Sequence, residues 1–336
     1  VFLINPDIHR AIELYETAAN MKNADAAFNL FHIFFYERGL NQDQEKALKY
    51  LKMGADNYHG PSQFQLGLFY LNGQIVERDL SEAERYFMLS AFKGDNEARV
   101  MLGVTIEQRI DEGAYDEKGL EDFKQGQIDM IFKCLHFAAE EKYPLALHQL
   151  GIRYATGNKI EQDYKKAISF FEQAHDLDYP ESTNSLGIMY LQGEGVKKDE
   201  GKALEYFRAA AIKGIRPSQT NSAILLEELA NNHPEGTDEH SDLIRESLDM
   251  LKLAADQNHT PSKYNFARLC IQNLIHKDLV KDPFTFFGKE DYMPYLEDAV
   301  AEGYEPAIIL LETVRKVESE TKHKEKIKSE SSEFDK

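Results

Sequence analysis

One stretch near the middle of the chain decides the fold. It reads Leu186-Gly-Ile-Met-Tyr-Leu-Gln-Gly-Glu-Gly-Val-Lys-Lys-Asp-Glu-Gly-Lys-Ala-Leu-Glu-Tyr-Phe-Arg-Ala-Ala-Ala-Ile-Lys-Gly214. Small and aromatic residues recur in it at spacings of three and four residues, which places them on one face of an α-helix. Gly193 and Gly195 mark a turn between two such segments. The stretch therefore predicts two α-helices joined by a short loop.

The same pattern recurs along the chain. The glycine of the Leu-Gly pair, or the residue in its place, stands at Phe31, Gly67, Gly103, Gly151, Gly187, Ala223 and Ala267. Four of the six intervals are 36 residues, and the other two are 48 and 44 residues. A lone helix hairpin cannot bury both faces, whereas stacked copies share a continuous core. We predict an all-α fold, an α/α superhelical solenoid of about seven stacked hairpins over residues 7–314.

Residues that cap helices stand at regular places in these copies. Aspartates are expected to cap the second helix of four copies at its N-terminus, and these are Asp43, Asp79, Asp163 and Asp199. Glycines are expected to end that helix in a left-handed conformation, and these are Gly54, Gly94, Gly214 and Gly303. The glycine after leucine should let the two helices of a hairpin approach closely.

These motifs carry a family resemblance. The pattern Leu-Gly-x-x-Tyr-x-x-Gly-x-Gly-Val-x-x-Asp-x-x-Lys-Ala-x-x-Tyr-x-x-Ala-Ala-x-x-Gly, which residues 186–214 match nearly in full, resembles the Sel-1-like repeat, a relative of the tetratricopeptide repeat. The resemblance implies a non-enzymatic adaptor or scaffold that binds a partner protein or peptide on a concave face. It also leaves two alternatives open: a luminal subunit of a protein quality-control complex, and an enzyme that binds or hydrolyses β-lactams.

Composition excludes several classes of partner. The formal net charge of −19 repels phosphate backbones and anionic membrane surfaces, so nucleic acid is not expected as a partner. The longest apolar stretch, residues 30–36, is far shorter than the roughly 20 residues that span a bilayer, and no direct membrane insertion is expected. Two cysteines, Cys134 and Cys270, provide no disulfide framework, which favours a reducing, cytoplasmic location. Because the first helix lacks an upstream partner, we expect a piece of a longer protein, whose targeting signal can lie outside this sequence.

The sequence offers no pattern for catalysis, metal binding or a cofactor. None of the eleven histidines stands in a His-Glu-x-x-His motif, and neither cysteine belongs to a Cys-x-x-Cys pair. β-Lactam-active relatives of the repeat carry a disulfide in every copy, which two cysteines cannot supply. We therefore expect no enzymatic activity, no cofactor and no metal site.

Helix geometry predicts a binding surface on the first helices. With the leucine before the marker glycine as position 0, positions −2, +2, +5 and +6 should project away from the second helix, toward the concave face. Apolar and aromatic residues at these positions predict a partner-binding groove, richest near the N-terminus. The predicted residues are Phe28, His32, Phe35, Tyr36, Phe64, Leu68, Leu71, Val104, His148, Ile152 and Ile188.

Two further segments stand apart from the repeat pattern. Residues 315–336 are charged and have almost nothing to bury, so they are expected to form a disordered tail or a solvated helix. A long connection is expected over residues 273–291.

Overall fold

The computed structural model describes residues 6–36, 43–235, 237–277 and 288–334. Within these ranges the chain forms sixteen α-helices and no β-strand. In chain order they are α1 (Pro6–Asn20), α2 (Ala24–Tyr36), α3 (Gln44–Asp56), α4 (Gly60–Asn72), α5 (Leu80–Ala91), α6 (Asn96–Asp111), α7 (Glu121–Glu140), α8 (Pro144–Thr156), α9 (Tyr164–Asp176), α10 (Pro180–Gln192), α11 (Glu200–Ile212), α12 (Arg216–Ala230), α13 (Asp238–Asp256), α14 (Thr260–Lys277), α15 (Lys289–Ala301) and α16 (Glu305–Phe334).

The helices pack as hairpins within two compact units, residues 1–179 and residues 180–336. In the first unit α2 packs on α3, α4 on α5, α6 on α7 and α8 on α9. In the second unit α10 packs on α11, α12 on α13 and α14 on α15. We call the first helix of each pair the A helix and the second the B helix. The predicted all-α solenoid of stacked hairpins is confirmed.

A stacked aromatic pair joins the two helices of four hairpins. The aromatic ring at position +4 of the A helix lies nearly parallel to a ring of the B helix, with ring centroids 5.5 to 5.7 Å apart. The pairs are Phe34 with Tyr50, Tyr70 with Tyr86, Tyr154 with Phe170 and Tyr190 with Tyr206. In each hairpin a cation from the B helix lies 4.1 to 5.3 Å from one ring centroid of the pair. In these four hairpins the stacked rings therefore stabilise the contact between the two helices of the hairpin itself, in addition to the contacts with neighbouring hairpins.

The marker glycines lie where the two helices of a hairpin are closest. A Cβ atom on Gly67 would stand 2.6 Å from the ring of Phe87, and one on Gly187 would stand 2.6 Å from the ring of Phe207. Both phenylalanines are fully buried. The prediction that these glycines permit close approach is therefore confirmed.

The predicted aspartate caps are confirmed at all four places. Each carboxylate accepts a hydrogen bond from a backbone N–H in the first turn of its B helix, at 2.8 to 3.0 Å. Gly94, Gly214 and Gly303 have φ angles of 94°, 86° and 79°, as expected for left-handed residues that end a helix.

Gly54 does not end its helix, so that prediction is wrong. It lies inside α3 and is buried, and the left-handed residue after this helix is Tyr58, with φ 61°. A Cβ atom on Gly54 would collide with the Ser62 hydroxyl of the next A helix. This glycine therefore allows neighbouring repeats to pack closely and does not form the turn.

The charged C-terminal segment continues a helix, which is the second of the two alternatives that the sequence left open. Helix α16 continues through residues 315–334, while residues 335–336 lie outside the described part of the chain. Lysine and glutamate are good helix formers, and residues 307–336 contain neither Gly nor Pro, so the helix has no interruption there. The long connection predicted over residues 273–291 is helical up to Lys277, where α14 ends, and again from Lys289, where α15 begins. Residues 278–287 lie outside the described part of the chain.

Candidate protein-interaction surface

Three positions of each A helix in the first unit share the side that faces away from the B helix. Counted from the leucine at position 0, they are −1, +2 and +6, which fall within about 60° of one another around a helix. We call them the A-helix stripe. It comprises Asn29, His32 and Tyr36 on α2, Gln65, Leu68 and Asn72 on α4, Met101, Val104 and Gln108 on α6, and Gln149, Ile152 and Thr156 on α8. All twelve side chains are exposed or half-buried.

The stripe is aromatic on α2. The ring centroid of His32 lies 4.5 Å from that of Phe28 and 5.4 Å from that of Tyr36, and Tyr36 also contacts Phe35 at 4.6 Å. Tyr36 is 54% exposed. Partial burial lowers the pKa of His32, so the imidazole is neutral at pH 7. The result is an uncharged aromatic surface that faces solvent.

The structure divides the predicted groove residues into three groups. His32, Tyr36 and Ile152 are exposed, and Leu71 is buried at 8% exposure. The remaining side chains are half-buried, and they are Phe28, Phe35, Phe64, Leu68, Val104, His148 and Ile188.

On α2, positions −2 and +5 are partly covered because the next repeat packs beside them. The ring of Phe28 lies 5.0 Å from that of His59, which precedes the next A helix, and the ring of Phe35 lies 5.5 Å from that of Phe69 on that helix. Phe64 instead packs within its own hairpin, on Phe87 of α5, at 5.7 Å. Placing Leu71 on an open surface was wrong, since its side chain is buried. Phe28 and Phe35 therefore belong to the contact between repeats.

His148 and Ile188 also pack against the core. The ring of His148 lies 5.7 Å from that of Phe171 and 5.2 Å from that of Tyr179, and burial lowers the pKa of His148 to about 4. Ile188 belongs to the second unit, where it packs against a cluster that includes Phe207 and Leu225. His148 therefore acts as a neutral core side chain at pH 7.

Sequence reasoning missed the amides at position −1. Asn29 is exposed, and Gln65 and Gln149 are half-buried on the same side of their helices as the predicted position +2. Their signal was available, since Asn29 and Gln65 are separated by the same 36 residues as the glycine markers. The helical-wheel prediction chose positions −2 and +5 in their place, although position −1 lies closer to the direction opposite the B helix.

An ion pair replaces the aromatic contact between α6 and α8. Arg153 is 4% exposed and binds the carboxylate of Glu107, and its guanidinium also donates to the Gln149 side-chain oxygen at 2.7 Å. Glu107 and Arg153 occupy the same repeat positions, +5 and +3, as Phe35 and Phe69. The two repeats are thus joined by charge where α2 and α4 are joined by rings.

One arrangement has the residue types of a hydrolytic triad. His59 Nε2 lies 3.1 Å from a carboxylate oxygen of Asp25, and His59 Nδ1 lies 2.8 Å from the Ser62 hydroxyl. However, Ser62 is fully buried, and its backbone N–H donates to the same Nδ1 at 3.3 Å. His59 is therefore the N-cap of α4, and His259 makes the same contact with Ser262 at 2.7 Å. The geometry supports helix capping.

The described residues contain no group of three or more His, Cys, Asp or Glu side chains that could hold a metal ion. Burial raises the pKa of Cys134 and raises that of Cys270 to about 12, which keeps both thiols protonated at pH 7. In the part of the chain that the structure describes, no helix is both long enough and apolar enough to cross a bilayer.

The sequence matches the family model described as Sel1 repeat at residues 2–23, 24–59, 60–95, 144–179 and 180–215. It is 27% identical to DAP3-binding cell death enhancer 1 of Rattus norvegicus over 154 residues, which are 46% of this chain and 30% of that protein. It is 28% identical to Protein sel-1 homolog 2 of Homo sapiens over 169 residues, 50% of this chain and 24% of that protein. The chain thus spans less than a third of the length of these relatives.

Two solved structures are similar in fold. One is a protective antigen of uropathogenic Escherichia coli strains with an SLR fold, at a TM-score of 0.55 and 20% identity, covering 91% of this chain and 66% of that one. The other is a Sel1 repeat protein from Oxalobacter formigenes, at a TM-score of 0.53 and 22% identity, covering 68% of this chain and 88% of that one.

Proposed function

Because the chain belongs to the Sel1 repeat family, whose members are generally protein-interaction scaffolds, we propose that it is a non-enzymatic scaffold that binds a partner protein through the A-helix stripe. The observation that carries this proposal is the exposed aromatic end of the stripe at His32 and Tyr36. Exposed aromatic side chains on an uncharged surface are typical of protein interfaces.

The distribution of charge between the two helices supports this assignment. Counting Asp, Glu, Lys and Arg, α2 contains one charged residue, α4 none and α8 one, whereas the B helices α3 and α9 contain five and four. The charge on α8 is Arg153, which is buried in an ion pair. A helix α6 contains five charged residues, so in a chain with 29% charged residues the depletion of charge is confined to α2, α4 and α8. The cores of protein interfaces are likewise depleted of charge.

The relatives are consistent with a protein partner. One of them is named for binding DAP3, although this chain spans only 30% of its length. We therefore extend to this chain only the general ability to bind a protein.

Site-directed crosslinking tests the proposal. A photoreactive benzoylphenylalanine replaces Tyr36 on the stripe in one sample and Phe92, at the end of B helix α5, in the control. The two positions are matched, since both are aromatic and strongly exposed, at 54% and 83%. After irradiation in an extract of the source cells, we expect a defined crosslinked partner from position 36 and none from position 92. If a partner is crosslinked from position 92 and none from position 36, the interface lies on the B helices and the proposal is overturned.

Substitutions on the stripe provide a second measurement. Tyr36→Ser with Ile152→Ser should abolish capture of that partner while the far-ultraviolet circular dichroism and the melting temperature stay near wild type, because both side chains are exposed. Phe35 and Leu71 are unsuitable for this purpose, since Phe35 packs on Phe69 of the next repeat and Leu71 is buried.

A further inference from the structure

Helix α7 exposes three large apolar side chains in a single row. Phe123, Met130 and Phe137 are 53%, 38% and 50% exposed, and we call them the α7 row. They are spaced seven residues apart, which places them within about 40° of one another around the helix. At 20 residues α7 is longer than the other B helices of its unit, α3, α5 and α9, which have 12 or 13. Apolar residues at heptad spacing on the exposed side of a helix are typical of packing against another helix.

Both phenylalanine rings of the row are held in place by the chain itself. The ring centroid of Phe123 lies 5.3 Å from that of Tyr115, and the guanidinium carbon of Arg99 lies 4.1 Å from the ring centroid of Phe137. Each ring is thus fixed by a neighbour while half of its surface remains open to solvent. Contact with another helix would therefore cost these side chains little conformational entropy.

A glycine lies on the same side of α7 as the row. Gly126 is exposed, and a Cβ atom at this position would meet no atom within 4 Å. Glycine inside a helix is destabilising relative to alanine, and the described part of the chain gives no packing reason for it here. Since Gly126 stands between Phe123 and Met130, it leaves space for a side chain of an approaching helix.

The α7 row is self-complementary about Met130. When a second copy of α7 lies antiparallel with the two Met130 side chains opposite each other, Phe123 of each copy faces Phe137 of the other. This follows because both phenylalanines are seven residues from Met130. A two-fold axis at Met130 relates the two copies, so the same surface serves on both sides and the contact closes as a dimer.

Charges beside the row favour the antiparallel arrangement. Asp129 and Lys133 are exposed on the same flank of the row. Among the residues that the structure describes, Lys133 has no ion-pair partner. A two-fold axis at Met130 brings this flank of both copies together, so that Asp129 of each copy lies beside Lys133 of the other. In a parallel pair the same flank would meet the opposite one, where the uncharged Gln127 and Cys134 lie.

We propose that the α7 row binds a second copy of the chain, which forms a two-fold symmetric dimer through antiparallel α7 helices. One helix from each copy makes a small interface, so the dimer is weak and forms at micromolar concentrations or above. The contact uses none of the residues of the A-helix stripe. A dimer therefore presents two stripes to a partner, which strengthens binding to any partner with two matching sites.

Sedimentation velocity of the full chain, from about 1 μM to a few hundred μM, tests the proposal. We expect a monomer–dimer equilibrium across this range. Met130→Lys should weaken the dimer about tenfold or more, because it places two ammonium groups opposite each other at the axis. Leu253→Lys is the matched control, since Leu253 is 47% exposed on B helix α13, and it should leave the equilibrium unchanged. Circular dichroism checks that both variants are folded.

Charge exchange tests the arrangement of the two helices. Asp129→Lys and Lys133→Asp should each weaken the dimer about tenfold or more, and the two changes together should restore it. Asp122 and Glu140, near the two ends of α7, are exposed on the same flank, and the two-fold axis brings Asp122 of one copy near Glu140 of the other. Glu140→Lys should therefore strengthen the dimer, because it replaces this repulsion by an attraction.

Disulfide crosslinking locates the axis. Met130→Cys in a chain that also carries Cys134→Ser should link two copies on mild oxidation, whereas Gln125→Cys, on another side of α7, should not. A chain that stays monomeric over the whole concentration range overturns the proposal. So does a dimer that persists in Met130→Lys, or a double charge exchange that fails to restore what the single changes weaken. The proposed scaffold function is unaffected by these outcomes, because it depends on the A helices.

Discussion

Adding one methyl group at Gly67 tests the packing inside a hairpin. In Gly67→Ala the new Cβ atom would lie 2.6 Å from Cε1 and 2.7 Å from Cδ1 of Phe87. Carbon atoms in contact prefer about 3.5 to 4.0 Å, so the two helices must separate by roughly 1 Å or the ring must rotate. The ring has little freedom to move, since Phe87 is fully buried.

The expected cost combines two opposing effects. Overpacking of this kind costs about 1 to 3 kcal/mol, while replacing a helical glycine by alanine gains about 1 kcal/mol. The difference between the two effects predicts that Gly67→Ala lowers the free energy of unfolding by up to about 2 kcal/mol. Gly103→Ala is the matched control, because its Cβ would lie an ordinary 3.5 Å from Ile131. That variant should be as stable as wild type or up to about 1 kcal/mol more stable.

Urea denaturation followed by circular dichroism at 222 nm measures both variants. Because repeat arrays can unfold in parts, hydrogen exchange of the amides in α4 and α5 should show the same loss locally. The reasoning is refuted if Gly67→Ala is more stable than wild type, or if it is at least as stable as Gly103→Ala.

Three further predictions concern single side chains. The folded pKa of His148, about 4, lies below its ordinary value of 6.5, so its contribution to stability is fully present above pH 6.5 and is lost as the pH falls toward 4. His148→Leu should therefore flatten urea midpoints measured between these pH values. Asp199→Ala should cost about 1 kcal/mol through loss of the cap to Lys202 N–H, whereas Glu200→Ala should cost less, as thermal melts would show. Glu107→Gln should destabilise by roughly 3 kcal/mol because Arg153 stays buried; adding Arg153→Met should restore much of this in urea titrations.

Local features of the repeat were predictable because they depend on residues close in sequence. The aspartate caps need one carboxylate and the backbone amides two or three residues later. The contact of Gly67 with Phe87 lies within one hairpin, and the same spacing recurs for Gly151 with Phe171 and for Gly187 with Phe207. Such relations are visible in any single copy of the pattern.

Features that depend on the neighbouring repeat were not predictable in the same way. Gly54 reads as a helix end, yet its role is set by Ser62 of the next A helix. Phe28 and Phe35 read as an outer face, yet the next repeat covers that flank, and Asn29 faces outward instead. A helical wheel describes one helix, and it contains no information about where the following hairpin sits.

The turns that follow the B helices have a consequence for engineering. At Tyr58 and Lys142 a residue with a side chain adopts a positive φ, 61° and 57°, in the place where Gly94 and Gly214 stand in other copies. In these turns the following residue, His59 or Tyr143, donates its backbone N–H to a carbonyl five residues earlier, at 3.0 Å. The hydrogen bonds involve backbone atoms alone, so glycine could replace Tyr58 and Lys142 without breaking them, and relief of the left-handed conformation is worth about 1 kcal/mol at each site. Distant turns of this kind act independently, so a more heat-resistant version of the chain could be assembled turn by turn, without altering the A-helix stripe.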